Sequence, residues 1–240
     1  MLTHLNEING IPDAIISMYM SKRTWTRQLE EDIRGLCHDV LDYSGRIRLN
    51  AEKQKLEIFS RWMDTLIKWG RKHNTMLRFI DLSITVEGLH RAGQDDWDAH
   101  AKRFDNRIIR TSTRLANFKY EMSEWYQDKI LPTDLALREV GIAIPPEVFI
   151  DGQKYIKAVN GYIKEGFQEN LDAKRGLYML CIPSNFIFKI NLTEWAHVYK
   201  ERQESGHSNP EVKQCCESIA SQLESCHQQF NRGLFLEILN

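Results

Sequence analysis

The segment Asn191-Leu192-Thr193-Glu194-Trp195-Ala196-His197-Val198-Tyr199-Lys200-Glu201-Arg202 brings an amide, a carboxylate, an imidazole and a guanidinium into one short stretch, with His207 and Glu211 beyond it. On a helix Glu194, His197 and Arg202 do not all share a face, but Asn191, Glu194, Trp195, Val198 and Arg202 fall at steps of three and four. Trp195, Val198 and Tyr199 alone say only that a helix packs on a core, and His197 and Arg202 then read as its solvated edge. A second group is Ser112-Thr113-Arg114. A guanidinium grips an anion through paired charge-assisted hydrogen bonds and a nearby hydroxyl adds a donor, although a helix cap or an exposed turn explains the same residues. A third is the polar run from Arg91 to Asn106, where Asp95, Asp96, Asp98, His100, Lys102, Arg103 and Asp105 are too many charges to bury without partners. Its carboxylates and imidazole have metal-ligating chemistry, but their spacing matches no metal motif, so a solvated loop is the plain reading and no metal is expected.

These groups need elements to hold them. From Pro12 to about Lys72 the apolar spacing predicts helix, broken at Ser44-Gly45, with Leu56, Phe59, Trp62, Met63, Leu66, Ile67 and Trp69 lining a helix that stops at Gly70. Ile80, Leu82, Ile84 and Val86 then alternate with polar residues, which predicts a half-buried strand just ahead of the polar run. Past that run, Ile108, Ile109, Leu115, Phe118, Met122 and Trp125 predict a helix face, and Tyr155, Val159 and Ile163 predict another helix ending near Gly166. Tyr178, Leu180 and Ile182, then Phe186, Phe188, Ile190 and Leu192, predict strands. Two amphipathic helices close the chain, about Thr193 to Glu204 and from Asn209-Pro210 onward, the latter with Val212, Cys216, Ile219, Leu223, Cys226 and Phe230 on one stripe. Helices interspersed with few strands give an α+β class.

The chain has 240 residues, 42% of them hydrophobic and 27% charged, an ordinary globular composition. Its 32 Lys and Arg against 33 Asp and Glu create no whole-molecule field, so neither nucleic acid nor a membrane surface is an expected partner, and an anionic ligand must meet a local cluster. The five cysteines, Cys37, Cys181, Cys215, Cys216 and Cys226, form no CxxC pair, which excludes a disulfide framework or zinc knuckle and fits a reducing compartment. Polar residues near the N-terminus and the lack of a long apolar run predict a cytoplasmic protein, in which the sequon Asn191-Leu192-Thr193 is accidental.

The segment from Asn191 to Arg202 resembles that of the flavin-dependent thymidylate synthases, the ThyX family, which carry an Asn-Leu-Arg-Glu-Trp-x-His-type segment ending in Arg, then a His and a Glu. Asn191, Glu194, Trp195, His197 and Arg202 fall in register, His207 follows with about one extra residue, and Glu211 stands at the family's Glu. Ser112-Thr113-Arg114 is similar to the family's Ser-x-Arg-Tyr, with Leu115 in place of the tyrosine. Ala173-Lys174-Arg175-Gly176, ahead of Leu180-Cys181-Ile182-Pro183, is similar to its Ala-Arg-Gly-Val-Leu-Pro with an insertion. Where the family has Arg-His-Arg, Lys102 and Arg103 keep the positive charge without the histidine, and His73-Asn74-Thr75 stands for a reduced His-x-Thr motif. The blocks keep the family's order from about Leu56 onward.

The resemblance implies a ThyX-like fold, helices around a small sheet in a single domain spanning residues 1–240, with 1–50 a helical extension or insertion and 51–240 the core. It also implies a homotetramer with sites between subunits. The implied reaction is reductive methylation of dUMP to dTMP, in which methylenetetrahydrofolate donates the carbon and NADPH reduces FAD. By the same resemblance Arg202 contacts and polarises the pyrimidine ring, and Ser112, Arg114 and Arg175 hold the nucleotide phosphate. Lys102, Arg103, Asn191, His197 and His207, with His73 and Thr75, are implied to hold the flavin, where positive charge stabilises the reduced anionic ring.

The altered Arg-His-Arg segment leaves two alternatives open: a paralogue acting on another pyrimidine nucleotide such as UMP, or a nucleotide-binding protein without catalysis. A phosphate-only binder has no need of a group aimed at the ring, which favours catalysis. His38-Asp39 is similar to the dyad of metal-dependent phosphohydrolases, but that site needs an all-helical fold, against the strand at Ile80 to Val86. Cys215-Cys216 reads as a pair of small core hydrophobes.

Overall fold

The computed structural model describes residues 1–100, 107–112, 121–158, 160–166, 178–204 and 208–228. The chain divides into two compact units, a larger one of Leu2–Val86, Asp96–Ile109 and Phe186–Asn240 and a smaller one of Met1, Glu87–Asp95 and Arg110–Asn185.

The four-stranded sheet has the order β1-β2-β7-β3, from β1 (Leu2–Asn9), β2 (Asp81–His90), β7 (Pro183–Asn191) and β3 (Arg107–Arg110). Its middle strands follow from alternation: Leu82, Ile84 and Val86 on β2 and Phe186, Phe188 and Ile190 on β7 are all buried. In the larger unit three helices, α1 (Ile11–Ser21), α2 (Arg27–Val40) and α3 (Lys53–Gly70), pack on one another. Phe59, Met63, Leu66 and Ile67 form the buried stripe of α3. Gly10 precedes α1 at φ +80°, and a Cβ there would lie 1.8 Å from the Phe79 carbonyl oxygen, so only glycine fits between β1 and α1. A 3-10 turn, Asn74–Phe79, packs on α1, α3 and α6 (Leu192–Glu204). The closing helix α7 (Pro210–Cys226) starts with proline, is capped by Asn209 Oδ1 accepting from the Glu211 N–H at 2.9 Å, and packs on β1 and α6.

In the smaller unit an antiparallel meander is formed by β4 (Glu147–Ile150), β5 (Gln153–Ala158) and β6 (Gly161–Lys164). Asp151 and Gly152, both at positive φ, make the two-residue turn between its first two strands. Lys157 on β5 pairs with the buried Asp134 carboxylate of α5 (Thr133–Glu139). No described helix is long and apolar enough to cross a membrane.

Several expectations are corrected. The polar run is not a solvated loop in its first part, since Arg91–His100 forms α4. Ile108 and Ile109 lie on β3 rather than on a helix, because adjacent β-branched residues suit opposite faces of a strand. Trp125 sits in a short 3-10 turn, Glu124–Tyr126, while Leu115 and Phe118 fall outside the described residues. Tyr155 and Ile163 belong to the meander, because a spacing of four satisfies the strand period as well as the helical one. Tyr178 and Leu180 lie in a bend and a turn instead of a strand, with the Leu180 and Ile182 carbonyls accepting from the N–H groups of Ala92 and Arg91. Leu192 opens α6 instead of ending β7, and residues 1–50 hold the strand β1 besides helices.

Candidate functional site

Arg202 lies on the core-facing stripe of α6 with Glu194, Trp195 and Val198, and all four are buried. This overturns the solvated-edge reading for Arg202, whereas His197, on another side of the same helix, is exposed. Two groups of one residue hold the guanidinium: Nη2 donates to the main-chain carbonyl of Asp96, and Nη1 lies 3.3 Å from the Asp96 carboxylate. Arg202 Nε is buried and has no hydrogen-bond partner among the described residues, and the same holds for Trp97 Nε1 and Trp195 Nε1.

Asp96 is kept there by its neighbour. Trp97 is buried against Trp195, Phe188 and Phe186, with ring centroids 5.7, 5.0 and 6.2 Å away, so α4 is packed against α6 and β7 at this level. Asp95, next in the run, pairs with Arg110 at 2.8 Å and Arg91 at 3.7 Å. The acidic run therefore supplies arginine partners, and the described residues include no group of His, Cys, Asp and Glu suited to a metal ion.

Asn191 ends β7 and caps α6: its Oδ1 accepts from the Glu194 N–H at 3.0 Å, with Glu194 at the third helical position. The Glu194 carboxylate is buried 3.9 Å from Arg78. Thr193 Oγ1 donates to the Asn74 carbonyl at 2.9 Å, and the Leu192 N–H donates to the Ile80 carbonyl at 2.8 Å. These bonds bring the His73-Asn74-Thr75 block to the start of α6. His73 and Thr75 are exposed, and the His73 ring stacks on Trp69 at 6.0 Å.

Ser112 is exposed in the smaller unit, just past β3, where the Thr111 N–H donates to the Asn185 carbonyl at 2.9 Å. Lys102, Arg103, Arg114, Arg175 and His207 lie outside the described residues. In the sequence Asp96 is one carboxylate of a charge run, and no local pattern marks it as the partner of Arg202. The rival dyad lies on the surface, with His38 exposed 3.7 Å from Asp39, whose carboxylate pairs with Lys55 at 2.8 Å. Cys215 and Cys216 are fully buried, and burial pushes both thiols up, so neither is a thiolate nucleophile.

No sequence family matches this chain, and no curated protein matches it. Among the solved structures similar to it, two match over nearly its full length. One is the flavin-dependent thymidylate synthase ThyX from Helicobacter pylori complexed with FAD and dUMP, at TM-score 0.55 and 10% identity, covering 98% of this chain and 100% of the other. The second, thymidylate synthase X (ThyX) from Helicobacter pylori with FAD and dUMP, has TM-score 0.53 and 13% identity, covering 98% and 99%. At these identities the likeness is one of fold: the chain has an α+β, ThyX-like fold.

Proposed function

We propose that the chain is a flavin-dependent thymidylate synthase-like enzyme that converts dUMP to dTMP by reductive methylation, with methylenetetrahydrofolate as carbon donor, NADPH as electron source and FAD as cofactor. The carrying observation is Arg202, a buried guanidinium whose Nε is unpartnered among the described residues, in a fold shared with two FAD- and dUMP-bound synthases. A buried donor left unsatisfied costs about 1–3 kcal/mol, which an acceptor on a bound ring would remove. Arg202 would then sit where negative charge develops on the pyrimidine and stabilise it there. Ser112, Arg114 and Arg175 are assigned to the phosphate, whose charge suits paired guanidinium donors.

The donor set also fits a flavin. Lys102, Arg103, His197 and His207, with His73 and Thr75, offer donors and positive charge to an anionic ring. Asn191 uses its Oδ1 on the helix cap, which leaves its Nδ2 for the cofactor. Bound and reduced, the flavin supplies the hydride, so no protein nucleophile is needed, in keeping with the inert Cys215 and Cys216. A single domain per subunit, a homotetramer and a cytoplasmic location complete the proposal.

The test is dTMP formation by the purified protein with FAD, NADPH, methylenetetrahydrofolate and dUMP. Turnover that falls by about a hundred- to thousandfold in Arg202→Gln, with the fold intact, is the expected result. Absence of dTMP under all these conditions contradicts the proposal.

A further inference from the structure

Arg202 is held by two grips of unlike kind, both from Asp96. The carbonyl grip is fixed, because it belongs to the backbone of α4, which Trp97 locks against Trp195, Phe186 and Phe188. The carboxylate grip is not. The Arg202 side chain is only 5% exposed, but that of Asp96 is 41% exposed, so the carboxylate already borders water while the guanidinium stays buried and gives it up only to another acceptor. As long as the carboxylate lies against Nη1 the pair is neutral, and the guanidinium cannot act with its full charge on anything else.

We propose that Asp96 is the positioning residue for Arg202, its carbonyl setting the guanidinium and its carboxylate on Nη1 competing for the guanidinium charge with the ring acceptor that the free Nε takes when a pyrimidine nucleotide binds. The inference rests on the nucleotide reading of Arg202. Binding places a carbonyl oxygen of the ring on the free Nε, and competition for the one guanidinium charge loosens the carboxylate on Nη1 toward solvent. The uncompensated positive charge then faces the ring, where it is needed, only after the ligand has arrived. The cost is affinity, since every nucleotide must compete with the carboxylate for the guanidinium charge. Solvent reaches the carboxylate side of this pair and weakens it, so removing the competitor should tighten ring binding about three- to tenfold.

The experiment is calorimetric titration of the folded protein with dUMP and with deoxyribose 5-phosphate, which has the phosphate and no ring. Asp96→Asn keeps the backbone carbonyl and the side-chain shape but removes the charge; Asp96→Ser serves if the Asn variant does not fold. In the uncharged variant dUMP is expected to bind about three- to tenfold tighter and deoxyribose 5-phosphate unchanged, while Asp96→Glu, which restores the competitor, returns dUMP toward wild-type affinity. In turnover the gain appears as a lower KM without a higher kcat. Equal or weaker dUMP binding in Asp96→Asn, with wild type binding normally, overturns the proposal, and weakening of both ligands would make Asp96 a structural residue. If wild type and variants alike fail to bind dUMP, the nucleotide reading itself falls.

Discussion

The hydroxyl of Thr193 donates to the carbonyl of Asn74 at 2.9 Å, joining residues 119 positions apart and fixing the turn after α3 to the first turn of α6. Thr193→Val keeps the shape of the side chain and leaves the Asn74 carbonyl without this donor. The expected loss is about 1 kcal/mol, seen as a thermal midpoint about 2–4 °C lower. FAD affinity should fall with it, because His73 and Thr75 flank the released carbonyl. An unchanged midpoint would show that the bond contributes nothing.

Asn191 is assigned two roles that substitutions can separate. Asn191→Asp keeps an oxygen to cap α6 and removes the amide donor, so stability should hold while FAD binding weakens. Asn191→Ala removes both, and about 1 kcal/mol of stability should go as well. Denaturant midpoints and flavin titrations on the two variants decide the matter; equal stability of both would refute the cap.

His227 sets a pH dependence. Its ring is fully buried, bonded through Nε2 to the Gly45 carbonyl at 2.6 Å, and burial holds its pKa below the ordinary value of 6.5 despite that bond and the Asp42 charge. The unfolded chain therefore takes up the proton first. Stability associated with this group is present above about pH 6.5 and declines as pH falls below it toward the folded pKa. Urea midpoints between pH 7.5 and 5.5 should drop more steeply for wild type than for His227→Gln. Parallel slopes would contradict the assignment.

Burial raises the thiols of Cys215 and Cys216, so native protein should resist alkylation at both positions. Cys216→Ala should lose some stability through the cavity it leaves and retain wild-type turnover. Loss of turnover in a folded Cys216→Ala protein would point to a cysteine nucleophile instead of hydride chemistry.

What the sequence reveals is mostly what lies within one element. The strands β2 and β7 and the helices α3, α6 and α7 follow from alternation, three-and-four spacing and local caps such as Asn209-Pro210. β1 is hidden because its buried residues, Leu5 and Ile8, stand three apart and polar His4, Asn6 and Glu7 fill the rest. The meander is hidden because the Tyr155 and Ile163 positions obey two periods at once. In the candidate site, Asn191 and Arg202 are marked out by the family resemblance of their segment, but the burial of Arg202 cannot be read there, since its partner Asp96 is 106 positions away. Long-range pairing of this kind depends on which face α4 presents, and that is settled by the packing of Trp97 rather than by any local pattern.

The proposed function requires the protein to bind both a flavin and a pyrimidine nucleotide, with Arg202 at the ring. Its most direct test is the visible absorption spectrum of the protein with FAD, recorded as dUMP is added, for wild type and Arg202→Gln. A protein-bound flavin spectrum that dUMP perturbs saturably is expected in wild type, with a response weakened or lost in Arg202→Gln. A protein that stays colourless after incubation with FAD, or a bound flavin indifferent to dUMP, would contradict it.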